Sequence, residues 1–430
     1  MSYLIKDISI IPMTADDYII EKGYLEIAGH EIRQVAEGQA PEGGYERIID
    51  GTNLVALPGL VNAHTHAAMT LLRGYADDMP LMEWLEQKIW PLEAKLTGED
   101  VYWGTMLAIV EMIRSGTTCF ADMYFFMDKA AEAADRTGIR ALLSRGLIGV
   151  GPDGEKALAE SRELIRQWNK SDHGRVRFNL GPHAPYTCPP EYLRQVADLA
   201  GELGVGMHIH LAETASEAAD SLSTYGLTPV AHLDSLGLFE HPVLAAHCVH
   251  LTEEDIEILA RKGVRVAHNP ESNMKLASGI APVPRLLQAG VAVALGTDGA
   301  SSNNNLDMMQ EMHSCALLHK VNSMDPTVIP AYQALKMATV HGAQALGLAD
   351  AIGTLEPGKK ADLILVRVDG PHCIPRYDII ANLIYAGQAS DVDTVIIDGR
   401  IIMHKRVIRT FDEEEVLERA KYTADQLITR

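Results

Sequence analysis

Between residues 54 and 298 the chain passes through eight short apolar runs: "LVALPGLVNAH", "TTCFADM", "IRALLSRG", "VRFNLGPH", "VGMHIHLAE", "PVLAAHC", "VRVAHNP" and "VAVALGTD". Longer segments with helical periodicity separate them, among them "EDVYWGTMLAIVEMIRSG", "PEYLRQVADLAGELG" and "TEEDIEILARKG". A strand that is apolar at nearly every position must be covered on both faces, which is the situation of a parallel sheet wrapped in helices. Eight such strands alternating with helices predict a (β/α)8 TIM-type barrel.

The ends of the chain read differently. Residues 1–55 and 350–410 carry short strand-like runs broken by glycine and charged turns, such as "YLIKDISIIPM" and "VDTVIIDGRIIMHKRVI". They predict one small β-sandwich domain built from both termini, beside a barrel over 56–349. The last segment, 411–430, reads as an amphipathic surface helix. With 47% hydrophobic residues in 430, a large core can be buried. A net charge of −21 argues against nucleic-acid and anionic-membrane partners and fits a protein that acts on small molecules. Five scattered cysteines, none in C-x-x-C, form no disulfide framework and predict a reducing, cytoplasmic setting. The first twenty residues are interrupted by Lys6, Asp7, Asp16 and Asp17, unlike a signal peptide, and no run is long enough to span a membrane. "GTLEPGKK" (353–360) matches a phosphate-loop pattern only superficially, because Lys360 stands where a hydroxyl must bind Mg²⁺. It reads as a turn.

In such a barrel chemistry sits at the C-terminal ends of the strands. Six of the eight runs end there on histidine or aspartate: His64 and His66, His183, His208 and His210, His247, His268, and Asp298. His64 and His66 are two residues apart, so on a strand both rings face one point. A metal is one such point, and a pair of turn histidines is the alternative. The recurrence of such residues at one end of six strands favours a metal site.

Several stretches resemble the amidohydrolase superfamily: "PGLVNAHTH", "HLAET", "GTDGASSNNNLDM" and "GTLEPGKKADLILV". The resemblance covers essentially the whole chain and is fullest to the 5′-methylthioadenosine/S-adenosylhomocysteine deaminases. Guanine deaminases and triazine hydrolases share much of the pattern. The resemblance implies metal ligands at His64, His66, His210 and Asp298. Binuclear relatives bridge two ions with a lysine or glutamate at the end of strand 4, where this chain reads "LGPHAPYTCPP". One ion per subunit is therefore expected. Three imidazoles and a carboxylate suit Zn²⁺, with Fe²⁺ or Ni²⁺ allowed by ligand type.

The same resemblance implies a reaction. A metal here makes water acidic enough to supply hydroxide near neutral pH. Asp298 keeps a second oxygen to accept the water's proton. Glu213, three residues past His210, is the candidate general acid for N1 of a 6-aminopurine. His247 orients the attacking hydroxide, or serves as a further metal ligand. Glu93 matches the family's ribose ligand, His183 a nucleoside contact, and Arg145 an arginine that meets the homocysteine carboxylate. The second arginine of some relatives is missing from "GVGPDGEKALAE" (149–160). Trp84 and Trp90, in the insertion 74–97, are expected to pack a helix onto the barrel, with closure over the purine as the alternative. His208 is set aside as a ligand, and His268 is assigned to structuring "HNPESN". His313, His319 and His341 read as packing or surface residues. The H-x-E and P-C-x-x-C motifs of cytidine-type zinc deaminases are absent from the sequence.

The expected function is thus deamination of 5′-thioether adenine nucleosides. A deaminase or hydrolase of adenosine, guanine or a triazine is the alternative, and a barrel that has lost catalysis is the reading from another class. Related enzymes form oligomers, so a homo-oligomer is expected.

Overall fold

The computed structural model describes residues 2–170 and 174–430. Eight parallel strands follow one another in sequence order: β1 (Leu60–Thr65), β2 (Thr117–Tyr124), β3 (Arg140–Leu147), β4 (Val176–Pro182), β5 (Met207–Leu211), β6 (Val243–His247), β7 (Arg265–His268) and β8 (Val293–Leu295). The ring closes where the Asp298 N–H donates to the His64 carbonyl at 2.9 Å. Gly296 permits this approach, because a Cβ there would lie 2.8 Å from the His64 nitrogen and 2.5 Å from Asn269 Oδ1.

Small side chains fill the barrel interior, including Ala63, Ala121, Ala267 and Ala294, with Val61 and Leu244. Ala343, Leu346 and Ile352 join this cluster and plug one end. The opposite faces of the strands pack under the surrounding helices in the main core.

The apolar run 54–64, expected as a single strand, divides between two sheets. Leu54–Pro58 pairs antiparallel with Leu363–Arg367 in the outer sheet, and β1 begins two residues later. The break is at Gly59, whose N–H bonds to the Asp362 carbonyl at 3.0 Å. A Cβ at Gly59 would fall 2.0 Å from Thr118 Oγ1. Apart from Pro58-Gly59 the run is apolar up to Val61, and apolar character marks burial without saying which sheet takes the hydrogen bonds.

The outer sheet has nine strands drawn from both termini. Ser2–Ile10 and Leu54–Pro58 lie side by side at its middle, between the N-terminal hairpin and strands 363–367, 392–397 and 400–404. Its own core includes Ile5, Ile8, Leu25, Leu363 and Leu365. A buried bidentate ion pair ties it to the barrel: Arg140 Nε and Nη2 reach the Asp362 carboxylate at 2.7 and 3.0 Å. The C-terminal helix, Glu413–Thr429, is anchored to helix Gly98–Arg114 by Arg114–Glu413 and Arg430–Asp100 pairs. All five cysteines are free and buried. Among the described residues no helix is long and apolar enough to cross a membrane.

Candidate metal centre and substrate cavity

The polar strand ends converge on one buried point. His66 Nε2 lies 3.2 Å from His210 Nε2 and 3.3 Å from Asp298 Oδ1, and His64 Nε2 lies 3.4 Å from the same oxygen. The tautomers follow from the outer nitrogens. His66 Nδ1 is 2.6 Å from the Met123 carbonyl and His210 Nδ1 is 2.7 Å from the His183 carbonyl. A carbonyl can only accept, so both Nδ1 atoms carry the hydrogen. Burial holds His64 down to about 4 and His210 well below the usual imidazole range. With Nδ1 protonated, the neutral His210 ring points a bare Nε2 lone pair at His66 Nε2, which itself faces the Asp298 carboxylate. The His64 Nε2 is buried without a hydrogen-bond partner.

Such an arrangement is repulsive unless a cation sits among the lone pairs. A tetrahedron with ligand atoms ~2.05 Å from a zinc ion has edges of about 3.3 Å. The separations of 3.2, 3.3 and 3.4 Å match that figure. The donor set therefore fits a metal ion such as Zn²⁺.

The strand ends are held in place by unusual backbone. Ala212, His247 and Asp298 adopt positive φ of 50°, 71° and 60°. Non-glycine residues rarely take this conformation, and it concentrates at functional sites. Asp298 is pinned through its whole carboxylate: Oδ1 accepts the Gly299 N–H at 2.8 Å, and the hydroxyls of Ser272 and Ser302 lie 2.5 and 2.9 Å from Oδ2. The second oxygen, expected to be free, is thus already engaged by two hydroxyls. Burial opposes ionisation of Asp298, but His64, His66 and His247 beside it hold it well below the usual carboxylate range.

His247 and Glu213 face the same point. His247 Nδ1 bonds to Asn273 Oδ1 at 2.9 Å, which turns Nε2 inward to 3.9 Å from Glu213 Oε2. Burial disfavours its charge, but Glu213, Asp298 and the Asn273 bond outweigh burial and raise its pKa. Burial raises that of Glu213, whose Oε1 lies 3.3 Å from Ser278 Oγ. Glu217 clamps this turn, accepting the Ala212 and Glu213 N–H groups at 2.9 Å each.

These groups line a cavity with His66, His183, Trp84, Trp90 and Glu93. Glu93 accepts from Tyr124 Oη at 2.7 Å, and burial raises its pKa. His183 bonds to Thr187 Oγ1 at 3.0 Å and packs its ring 4.8 Å from that of His210. Trp84 is buried, with its indole N–H on the Ala76 carbonyl at 3.0 Å, so it packs the insertion as well as walling the cavity. Arg145 stands apart. It lines a second cavity that shares Trp90, Glu93, Phe125 and Ile148 with the first.

Sequence reasoning missed the supporting ring of Ser272, Asn273, Ser302, Glu217 and His208. His208, set aside as a ligand, places Nε2 2.9 Å from His64 Nδ1 and so orients that ring. The "HNPESN" segment structures more than a loop, since two of its side chains hold Asp298 and His247. His268 itself pairs away from the site with His319, at 3.1 Å.

The amidohydrolase family model matches residues 55–402. A 5-methylthioadenosine/S-adenosylhomocysteine deaminase of Syntrophomonas wolfei subsp. wolfei is 63% identical over 429 residues, covering 100% of both chains. One of Pelotomaculum thermopropionicum is 58% identical and covers 99% of each. Among solved structures, an adenosine deaminase from Xanthomonas campestris with bound zinc superposes with a TM-score of 0.95 at 38% identity, covering 100% of this chain and 99% of that one.

Proposed function

We propose, for a chain that belongs to the amidohydrolase family, the metal-dependent hydrolytic deamination of adenine nucleosides bearing a 5′-thioether. Methylthioadenosine gives methylthioinosine, S-adenosylhomocysteine gives S-inosylhomocysteine, and ammonia leaves in each case. The observation that carries this reading is the pair of adjoining cavities, which share Trp90, Glu93, Phe125 and Ile148. The inner one joins a metal-ligand cluster to the buried Glu213 carboxyl, and the outer one holds Arg145 beyond Glu93. Near-full-length relatives bearing that activity's name support it.

His64, His66, His210 and Asp298 hold one Zn²⁺ in this reading, with Fe²⁺ or Ni²⁺ admissible to the same donors. When bound there, such an ion would supply the Lewis acidity that makes water nucleophilic near neutral pH. Glu213 delivers a proton to N1 as C6 becomes tetrahedral. Asp298 takes a proton from the attacking water, oriented meanwhile by Ser272 and Ser302. His247, fixed by Asn273, aims Nε2 at the attacking oxygen and stabilises its developing charge. Glu93 receives a ribose hydroxyl, and His183 contacts the nucleoside.

Ultraviolet absorbance tests the reading directly, because conversion of adenine to hypoxanthine shifts the spectrum. Methylthioadenosine, S-adenosylhomocysteine, adenosine, guanine and an amino-triazine make the panel. Turnover is expected to be best with the first two, and activity confined to guanine or the triazine overturns the assignment. Adenosine is the second reading, favoured by the zinc-containing adenosine deaminase that shares the fold.

Arg145→Ala separates two substrates on one enzyme. S-adenosylhomocysteine ends in a carboxylate that a guanidinium can hold, and methylthioadenosine ends in a methyl group. The variant is expected to lose roughly 1.5–3 kcal/mol in kcat/KM on the former, the range for a hydrogen bond to a charged group. Methylthioadenosine is expected to change little. Equal loss on both makes Arg145 structural.

A further inference from the structure

The outer cavity contains a charge arrangement that a carboxylate site alone does not explain. The Arg145 guanidinium lies 5.3 Å over the Phe125 ring and donates through Nη1 to the Gly146 carbonyl. Its Nε is 3.2 Å from Glu160 Oε2. Glu160 Oε1 is in turn 3.8 Å from the ammonium of Lys156, one turn back on helix Gly154–Trp168. A carboxylate therefore stands between two cations at the cavity wall. Arg145 Nη2 makes no hydrogen bond among the described residues, so one edge of the fork is open to a ligand. Five acidic side chains line this cavity, Glu93, Asp153 and Glu163 among them, against only Arg145 and Lys156 as basic ones. A ligand carrying a bare carboxylate enters a surplus of negative charge. A ligand with an ammonium next to its carboxylate finds a partner for each.

We propose that Glu160 is a specificity-determining residue that receives the α-ammonium of an amino-acid group at the 5′ end of the nucleoside. Arg145 and Lys156 take the carboxylate of the same group. The inference rests on the deaminase reading above and extends it: the outer cavity selects zwitterions over anions. Without ligand, Glu160 keeps Arg145 paired. With ligand, the single Arg145–Glu160 pair is exchanged for an ammonium on Glu160 and a carboxylate on Arg145. The Glu160 side chain is 41% exposed and that of Lys156 is 74% exposed. Solvent screening therefore limits the effect to roughly three- to tenfold, below that of a buried charged hydrogen bond.

The test compares wild type and Glu160→Gln on three substrates: S-adenosylhomocysteine, the analogue lacking only its α-amino group, and methylthioadenosine. The readout is the ratio of kcat/KM for each of the first two to that for methylthioadenosine. In the variant the S-adenosylhomocysteine ratio is expected to fall roughly three- to tenfold, while the ratio for the amine-free analogue rises. A S-adenosylhomocysteine ratio that is unchanged or increased overturns the proposal and leaves Glu160 as a competitor for Arg145. Parallel loss of both ratios also overturns it, because the amine then plays no part. Wild-type enzyme that turns over none of the three overturns the deaminase reading itself, an outcome distinct from any pattern in the variant.

Discussion

Glu213→Gln is expected to keep the fold and the metal while kcat falls roughly 10²- to 10⁴-fold, the scale of a lost general acid. Glutamine is nearly isosteric and can still meet the Ser278 hydroxyl that lies 3.3 Å from Oε1. It cannot hand a carboxylic proton to N1. The backbone of the turn is insulated from the change, because its N–H groups are fixed by the Glu217 carboxylate rather than by Glu213. Burial raises the Glu213 pKa, so its protonated form survives to higher pH than that of an exposed glutamate. A general acid is active when protonated. Wild-type activity is thus expected to fall as pH rises through this pKa, and residual activity in Glu213→Gln should lack that limb. Steady-state kinetics on methylthioadenosine with metal content measured on the same samples checks both points. Turnover close to wild type in a metal-replete variant removes Glu213 from the mechanism.

The barrel was legible because its signal is long-range and repetitive: eight apolar runs alternating with helical segments, six of them ending on histidine or aspartate. The convergence of His64, His66, His210 and Asp298 was legible for a related reason. Strand ends in a parallel barrel share one rim, so residue type at the run's end reports position in space. What stayed hidden has no periodic signature. Ser272 sits in the short helix Pro270–Lys275 and Ser302 in a polar turn, places where serine is ordinary, and only the fold brings both hydroxyls to Asp298 Oδ2. Asn273 and Glu217 act across a loop and a turn on His247 and on the backbone of Ala212 and Glu213. The split at Gly59 was hidden because both halves of the run are equally buried, and the choice of sheet is made by Thr118 and Asp362, which lie far off in sequence.

His210→Ala and Asp298→Ala are each expected to lose most of the bound ion, and with it turnover beyond detection, a larger loss than that of the general acid. Three of the contacts among the four proposed ligand atoms span 3.2 to 3.4 Å, near the edge length of a tetrahedral site. Removing a vertex weakens the ion and makes its water less acidic. The two variants differ in side effects. His210→Ala gives up one hydrogen bond, to the His183 carbonyl. Asp298→Ala also strips partners from Ser272, Ser302 and the Gly299 N–H, all buried, so thermal stability should fall further. Asp298→Asn keeps the shape, but its NH2 must replace either Oδ1 or the oxygen that accepts from Ser272 and Ser302, so metal loss there reports the ligand oxygen and its charge together. Elemental analysis of wild type is expected to give close to one ion per chain. Two ions per active chain would remove the single-ion assignment and promote His247, whose Nε2 already faces the cluster, to ligand. A count of two that drops to one in Cys315→Ser would instead place the second ion in the buried His268, Cys315 and His319 group, whose ligand atoms lie within 4.8 Å of one another.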